Sequence, residues 1–165
     1  MLKVREVMSK DVATLAPDTL VKDAATMLAK RDVSGMPVLE SGRVVGVFSE
    51  ADVLRSLKMT KKDMRLIFPS VSSIGIAFQE EVSQREILEA YEEIGNMPVR
   101  DVMTKDVVSI EPDLPLNEAI LKMVQKGIHR LPVIEKSELV GILTRGDIIR
   151  GLAKDVSSKK PEASK

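Results

Sequence analysis

The stretch VREVMSKDV at residues 4–12 returns as VRDVMTKDV at residues 99–107. Sliding the chain against itself by 95 positions extends the match without a gap to Leu57 and Leu152, with 18 identities in 54 pairs. Identical pairs fall at turn, strand and helix-start positions, among them Pro17/Pro112, Asp18/Asp113, Pro37/Pro132, Gly46/Gly141, Asp52/Asp147 and Arg55/Arg150. The chain therefore contains an internal duplication. Copy one takes residues 1–57 with the N-terminus, copy two residues 99–152, with a connecting insert at 58–98 and a tail at 153–165.

Each copy carries the same signals in the same order. A short extended piece, Val12 to Leu15 or Val107 to Ile110, ends at Pro-Asp. A helix follows, with Val21, Ala24, Ala25 and Leu28, or Leu116, Ala119, Ile120, Met123 and Val124, on one apolar stripe. Pro115 suits a first helical turn. Two β-rich runs come next, Met36–Glu40 with Val44–Phe48 and Leu131–Glu135 with Leu139–Leu143, each pair joined by two residues as in a hairpin. Ser49 and Thr144 then open a second helix. The expected unit is β-α-β-β-α, an α/β (α+β) fold. Two such units each leave a sheet face and a helix stripe uncovered, so the expectation is packing about a pseudo-twofold axis with paired clefts at the seam.

In the insert, Ser83 with Glu86 forms a capping-box pattern and Val82 with Ile87 a hydrophobic staple, which predicts a helix over 84–94 with Ile87, Leu88, Tyr91 and Ile94 on its apolar side. Ahead of it, Ile74, Ile76 and Phe78 alternate as a strand does. The insert reads either as a packed linker or as a dimerisation or partner surface. The tail is nearly devoid of apolar residues and reads as solvated and disordered.

Composition narrows the chemistry. The 165 residues carry 25 Lys+Arg, 25 Asp+Glu, no cysteine and one histidine. That excludes disulfides, thiolate zinc sites, Cys/His nucleophiles and a multi-histidine metal centre. Zero net charge and 2% aromatic residues disfavour nucleic acid as a partner. The N-terminus lacks a signal-peptide pattern, and the longest mostly apolar run, Leu66 to Phe78, is broken by Pro69. The expectation is a cytoplasmic chain without a membrane segment. Nucleophile-elbow, Walker, GxGxxG, HExxH and EF-hand patterns are absent, so no catalytic residue is assigned.

Two features are candidates for binding. The first is S/T-x-x-D directly after the second hairpin strand, Ser49…Asp52 and Thr144…Asp147. One reading is a helix cap, the hydroxyl and the acid tying off backbone N–H groups. The other is a site in which the carboxylate accepts both hydroxyls of a ribose diol. The second feature is the pair His129-Arg130 ahead of a buried strand, with Arg145 after its partner strand, either solvated charges or a basic cluster for phosphate oxygens. Copy one has Ser34, Gly35 and Glu50 at these places, so the basic cluster is not duplicated. Arg55, Lys58, Lys61, Lys62 and Arg65 form a basic run that reads as a helix's wet face.

Both copies resemble cystathionine-β-synthase (CBS) domains, and the tandem resembles a CBS pair, or Bateman module. The resemblance rests on V-R-[ED]-V-M, the Pro-Asp turn, the Pro-Val strand, V-G-[VI]-[FL]-[ST] and the closing [ST]-x-x-D. It implies a regulatory sensor and not an enzyme, binding AMP, ADP, ATP, S-adenosylmethionine or methylthioadenosine in the clefts between the repeats and signalling to a partner in trans. It also implies disc-shaped homodimers. Carried over by residue, it implies Ser49, Asp52, Thr144 and Asp147 for the ribose. For adenine it implies Thr14, Leu15, Met36 and Pro37, and Ser109, Ile110, Leu131 and Pro132. The run from His129 to Val133 is similar to one in nucleotide-sensing γ subunits of an AMP-activated kinase, which implies His129, Arg130 and Arg145 for phosphate. The alternative is a structural or protein-interaction module with no nucleotide ligand.

Overall fold

The computed structural model describes residues 1–60 and 84–158. Its elements run α1 (Val4–Val7), α2 (Val21–Arg31), β1 (Gly35–Glu40), β2 (Arg43–Ser49), α3 (Glu50–Thr60), α4 (Gln84–Gly95), α5 (Val99–Val102), α6 (Leu116–Lys126), β3 (Arg130–Glu135), β4 (Glu138–Thr144) and α7 (Arg145–Ser158). Each copy thus holds an antiparallel hairpin, β1–β2 or β3–β4, flanked by helices. Val82, Ser83 and the alternating Ile74, Ile76 and Phe78 lie outside the described residues.

Three elements differ from the expectation. The repeat's opening V-R-[ED]-V is one turn of helix, α1 or α5. The extended piece before the Pro-Asp turn contributes only one parallel bridge per copy, Leu15 to Val38 and Ile110 to Val133. Ile110 donates to the Pro132 carbonyl at 3.0 Å and accepts from the Ile134 N–H at 2.9 Å. The next donor of a parallel ladder would be residue 112, a proline without an N–H, so pairing stops there. At the other end, residues 153–158, assigned to the tail, continue α7, and none of them is a proline or glycine that would break the helix.

By its internal contacts the chain divides into two compact units that cut across the repeat. One is built from Met1–Thr14, Leu39–Val45 and the chain from Asp106 on; the other from Leu15–Val38 and the chain between Gly46 and Lys105. Each unit therefore joins the opening segment of one copy to the body of the other.

In the first unit, Val4 is fully buried in a core of Ile110, Leu116, Ala119, Met123, Leu131, Val133, Leu143 and Ile148. The backbone ties the segment down: Val4 N–H to Leu114 O at 3.0 Å, Arg5 N–H to Pro112 O at 2.9 Å, and Ser9 with Ile142 in both directions at 2.9 Å. Met8 lies on Gly141, where a Cβ would come within 2.5 Å of its sulfur, so only glycine lets the segment approach this closely.

The second unit repeats these bonds 95 positions on. Val99 N–H reaches Thr19 O at 2.8 Å, Arg100 N–H reaches Pro17 O at 3.0 Å, and Thr104 pairs with Val47 at 2.9 and 3.0 Å. Val99 is fully buried, as are Val21, Ala24, Met36, Val38 and Phe48 to within 1%. Met103 covers Gly46 as Met8 covers Gly141. Helix α4 packs on α2 and α3 in this unit. Its Ile94 is buried, whereas Ile87 and Leu88 are about half exposed.

The hairpin turns need left-handed backbone at two successive residues. Copy one supplies Ser41 and Gly42, at φ 51° and 77°; copy two supplies Lys136 and Ser137, at φ 51° and 69°, with no glycine.

Candidate functional site

The strand-to-helix corner is built alike in both copies. β4 ends at Thr144, and α7 carries Asp147 on its first turn, 3% exposed. Asp147 Oδ2 accepts from the Thr144 N–H at 2.8 Å and the Thr144 hydroxyl at 2.7 Å, while the Asp147 N–H donates to Thr144 Oγ1 at 3.2 Å. That is a reciprocal cap. Its second oxygen, Oδ1, accepts from the Ser9 hydroxyl at 2.9 Å and from the Arg150 guanidinium.

In copy one, Asp52 is 1% exposed, and its Oδ2 accepts from the Ser49 N–H at 2.8 Å and the Ser49 hydroxyl at 2.9 Å. Oδ1 accepts from the Thr104 hydroxyl at 2.8 Å and from the Arg55 guanidinium. A buried carboxylate persists only when its lone pairs are satisfied and its charge is met. Each corner does this with four donors, two from its own hydroxyl residue, one from the other copy's opening segment and one from an arginine a turn ahead.

Beside the copy-two corner lies an open groove of about 860 Å³ between α6 and the start of α7, whose wall includes Met123, Val124, His129, Arg145, Ile149 and Arg150. The Arg145 N–H donates to the His129 carbonyl at 3.3 Å, which draws these two residues together at the open end of the hairpin. Val124 and Ile149 are 74% and 67% exposed there, so Val124 belongs to the groove and not to the core stripe assigned to it. On that helix Leu116, Ala119 and Met123 face the core, and residue 124 sits 100° further round.

Among the described residues no group of three or more His, Asp or Glu is arranged to hold a metal ion. No described helix is long and apolar enough to cross a membrane.

The family model of the CBS domain matches residues 4–59 and 99–154. The chain belongs to the CBS domain family. Protein MJ1426 of Methanocaldococcus jannaschii is similar, 33% identical over 155 residues that cover 92% of each chain. The solved structure of CBSX2 in complex with AMP superposes with a TM-score of 0.69 at 23% identity, over 94% of this chain and 99% of that one. The CBS domain pair of protein MJ0100, solved with 5′-methylthioadenosine and S-adenosyl-L-methionine, gives 0.68 at 20% identity, over 94% and 98%. These two likenesses bear on the fold, that of a CBS pair.

Within these CBS repeats the residues singled out by sequence are distributed unevenly. Ser49 with Asp52, and Thr144 with Asp147, meet as described. His129 and Arg145 share the groove wall, but Arg130 does not line it. Arg130 is the first residue of β3, half-buried and directly opposite Thr144, so the two stand on one face of the hairpin. Of the adenine set, Leu15, Met36, Pro37, Ile110, Leu131 and Pro132 are buried. Ile110 and Leu131 are core residues, so a ligand would meet backbone there and not side chain. Thr14 and Ser109 are half-buried.

Sequence reasoning gave no site role to four residues of the corners, Ser9, Thr104, Arg55 and Arg150, and read Arg55 as part of a helix's wet face, whereas its guanidinium meets Asp52. The signal was present: the arginines are identical in both copies, and positions 9 and 104 keep a hydroxyl between V-M and K-D.

Proposed function

We propose that this chain is a regulatory module that binds an adenosine compound at its copy-two corner and signals to a partner protein in trans. AMP, ADP or ATP is the favoured ligand class, with S-adenosylmethionine or methylthioadenosine as the competing one. Asp147 would take the ribose diol, Thr144 would hold Asp147 in place, and the backbone of Ser109, Ile110 and Pro132 would face the base. His129 and Arg145 would receive phosphate oxygens. One observation carries the reading: a buried carboxylate stands next to a groove wall bearing a histidine and an arginine.

Copy one offers Asp52 and Ser49 in the same geometry with Ser34 and Glu50 beside them, which suits an uncharged tail better than a phosphate. We also read the chain as cytoplasmic, and as a homodimer, since Leu121, Val124 and Ile149 are each more than half exposed in the first unit.

Calorimetric titration with AMP, ADP, ATP, S-adenosylmethionine and methylthioadenosine tests the reading. Heat with at least one ligand, abolished in Asp147→Ala, is the expected result; silence with all five overturns it. The second reading, a structural or protein-interaction module, draws on the saturation of both aspartates by protein donors alone. It predicts that freshly purified protein shows no 260 nm excess and that no ligand shifts its melting temperature.

A further inference from the structure

We propose that Arg150 is an internal competitor for the ligand's diol at Asp147 and, once displaced, the residue that makes this corner selective for anionic adenosine compounds. The inference rests on the adenosine reading above and adds a selectivity mechanism to it.

A carboxylate offers about four lone-pair sites. At Asp147 all four are taken, by the Thr144 N–H, the Thr144 hydroxyl, the Ser9 hydroxyl and the Arg150 guanidinium. A diol can reach this carboxylate only by removing a donor. The Thr144 N–H is fixed backbone at a helix start, and the Thr144 hydroxyl is held on its other side by the Asp147 N–H. Ser9 is locked by two backbone bonds to Ile142. Arg150 is different. Its side chain is 67% exposed and its tip is held by no backbone bond among the described residues, so water can take over its hydrogen bonds, and it is the donor that leaves.

Where it goes follows from its surroundings. Arg150 already lines the groove with His129 and Arg145. Its guanidinium lies over Gly146, where a Cβ would sit 3.2 Å from Nη1, so it has bare backbone beneath it. Displacement thus turns a cation neutralised by Asp147 into a third cation on a basic wall. A ligand with a diol and no anion breaks the pair and receives nothing in exchange. A ligand with a diol and a phosphate regains the charge. In copy one the matching residues are Ser34, Glu50 and Ala51, so a displaced Arg55 would meet an acid instead of two further cations.

The test is calorimetry of wild type and Arg150→Met with adenosine and with AMP at one salt concentration, after melting curves establish that the variant folds. Methionine keeps the stem and removes the donor. Adenosine is expected to bind the variant roughly threefold more tightly and AMP roughly threefold more weakly, so the AMP-to-adenosine preference falls about tenfold. If both ligands shift in the same direction by the same factor, Arg150 merely supports Asp147 and the inference is wrong. If wild type binds neither ligand, this inference is wrong, while the adenosine reading is decided separately by the five-ligand titration. Wild-type binding with an unchanged preference in Arg150→Met defeats this inference alone.

Discussion

Asp52 and Asp147 accept the same four kinds of donor, and both are almost completely buried. Around them the two copies part company: His129, Arg145 and Gly146 stand beside Asp147, whereas Ser34, Glu50 and Ala51 stand at the matching places beside Asp52. The difference also reaches the helices. In the second unit α4 packs on α2 and α3, while α6 and α7 leave an open groove. Replacing the aspartate would strand the buried donors that its carboxylate satisfies. The residues outside that knot are free to vary, and the divergence lies there. The buried knot was kept twice, and the residues beside it were allowed to differ.

The largest expected effect breaks the common part. Asp52→Ala and Asp147→Ala each leave an amide and two hydroxyls without their acceptor, which should lower stability by about 2–3 kcal/mol, above the ~1 kcal/mol of an ordinary lost cap. Urea unfolding should give the two variants nearly equal losses. Ligand binding should separate them, with AMP affinity lost only in Asp147→Ala. Equal stability losses with equal ligand effects would mean that the corners do not differ in function.

The duplication, the hairpins and the helix stripes are legible in sequence because each rests on local periodicity and turn chemistry. The exchange of opening segments is not. Val4 and Val99 look like any apolar residue of a short motif, and nothing in their spacing says that each is buried with the body of the other copy. Ser9 and Thr104 show in sequence only as a hydroxyl kept at matching positions: a serine or threonine is more often at the surface, and only the tertiary fold turns these two toward an aspartate. The basic cluster was half legible. His129 and Arg145 flank the open end of a predictable hairpin and share the groove wall, whereas Arg130, opposite Thr144, does not line that groove.

A second comparison concerns the close approach that the exchange requires. Gly141→Ala would drive a Cβ against the Met8 sulfur and should cost about 1–3 kcal/mol. Gly46→Ala should do the same through Met103. If overpacking is the cause, Met8→Ala in the Gly141→Ala background restores part of the loss, measured as recovery of the urea midpoint. A non-recovering double variant would show that the contact with the Met8 side chain is not the cause of the loss.

The smallest effect concerns an exposed carboxylate at the start of each copy. Lys3 first, then Arg5, donate hydrogen bonds that hold the Asp113 carboxyl below its ordinary value of 3.8. At the matching place Arg100 pairs with Asp18, and Pro98 stands where Lys3 would be. A carboxyl whose folded pKa is depressed favours the native state above its unfolded pKa, and that contribution drains away as pH falls through the folded value. The stabilisation from Asp113 is therefore complete above about pH 4 and declines below it. Lys3→Ala should melt slightly below wild type at pH 6, and the gap should close as pH falls toward 3, because protonation removes in wild type what the substitution removes at every pH. About 1 M salt should shrink the pH 6 gap, since both partners are solvated and screened. A gap of constant size from pH 6 to pH 3 would show that Lys3 acts through packing and not through its charge.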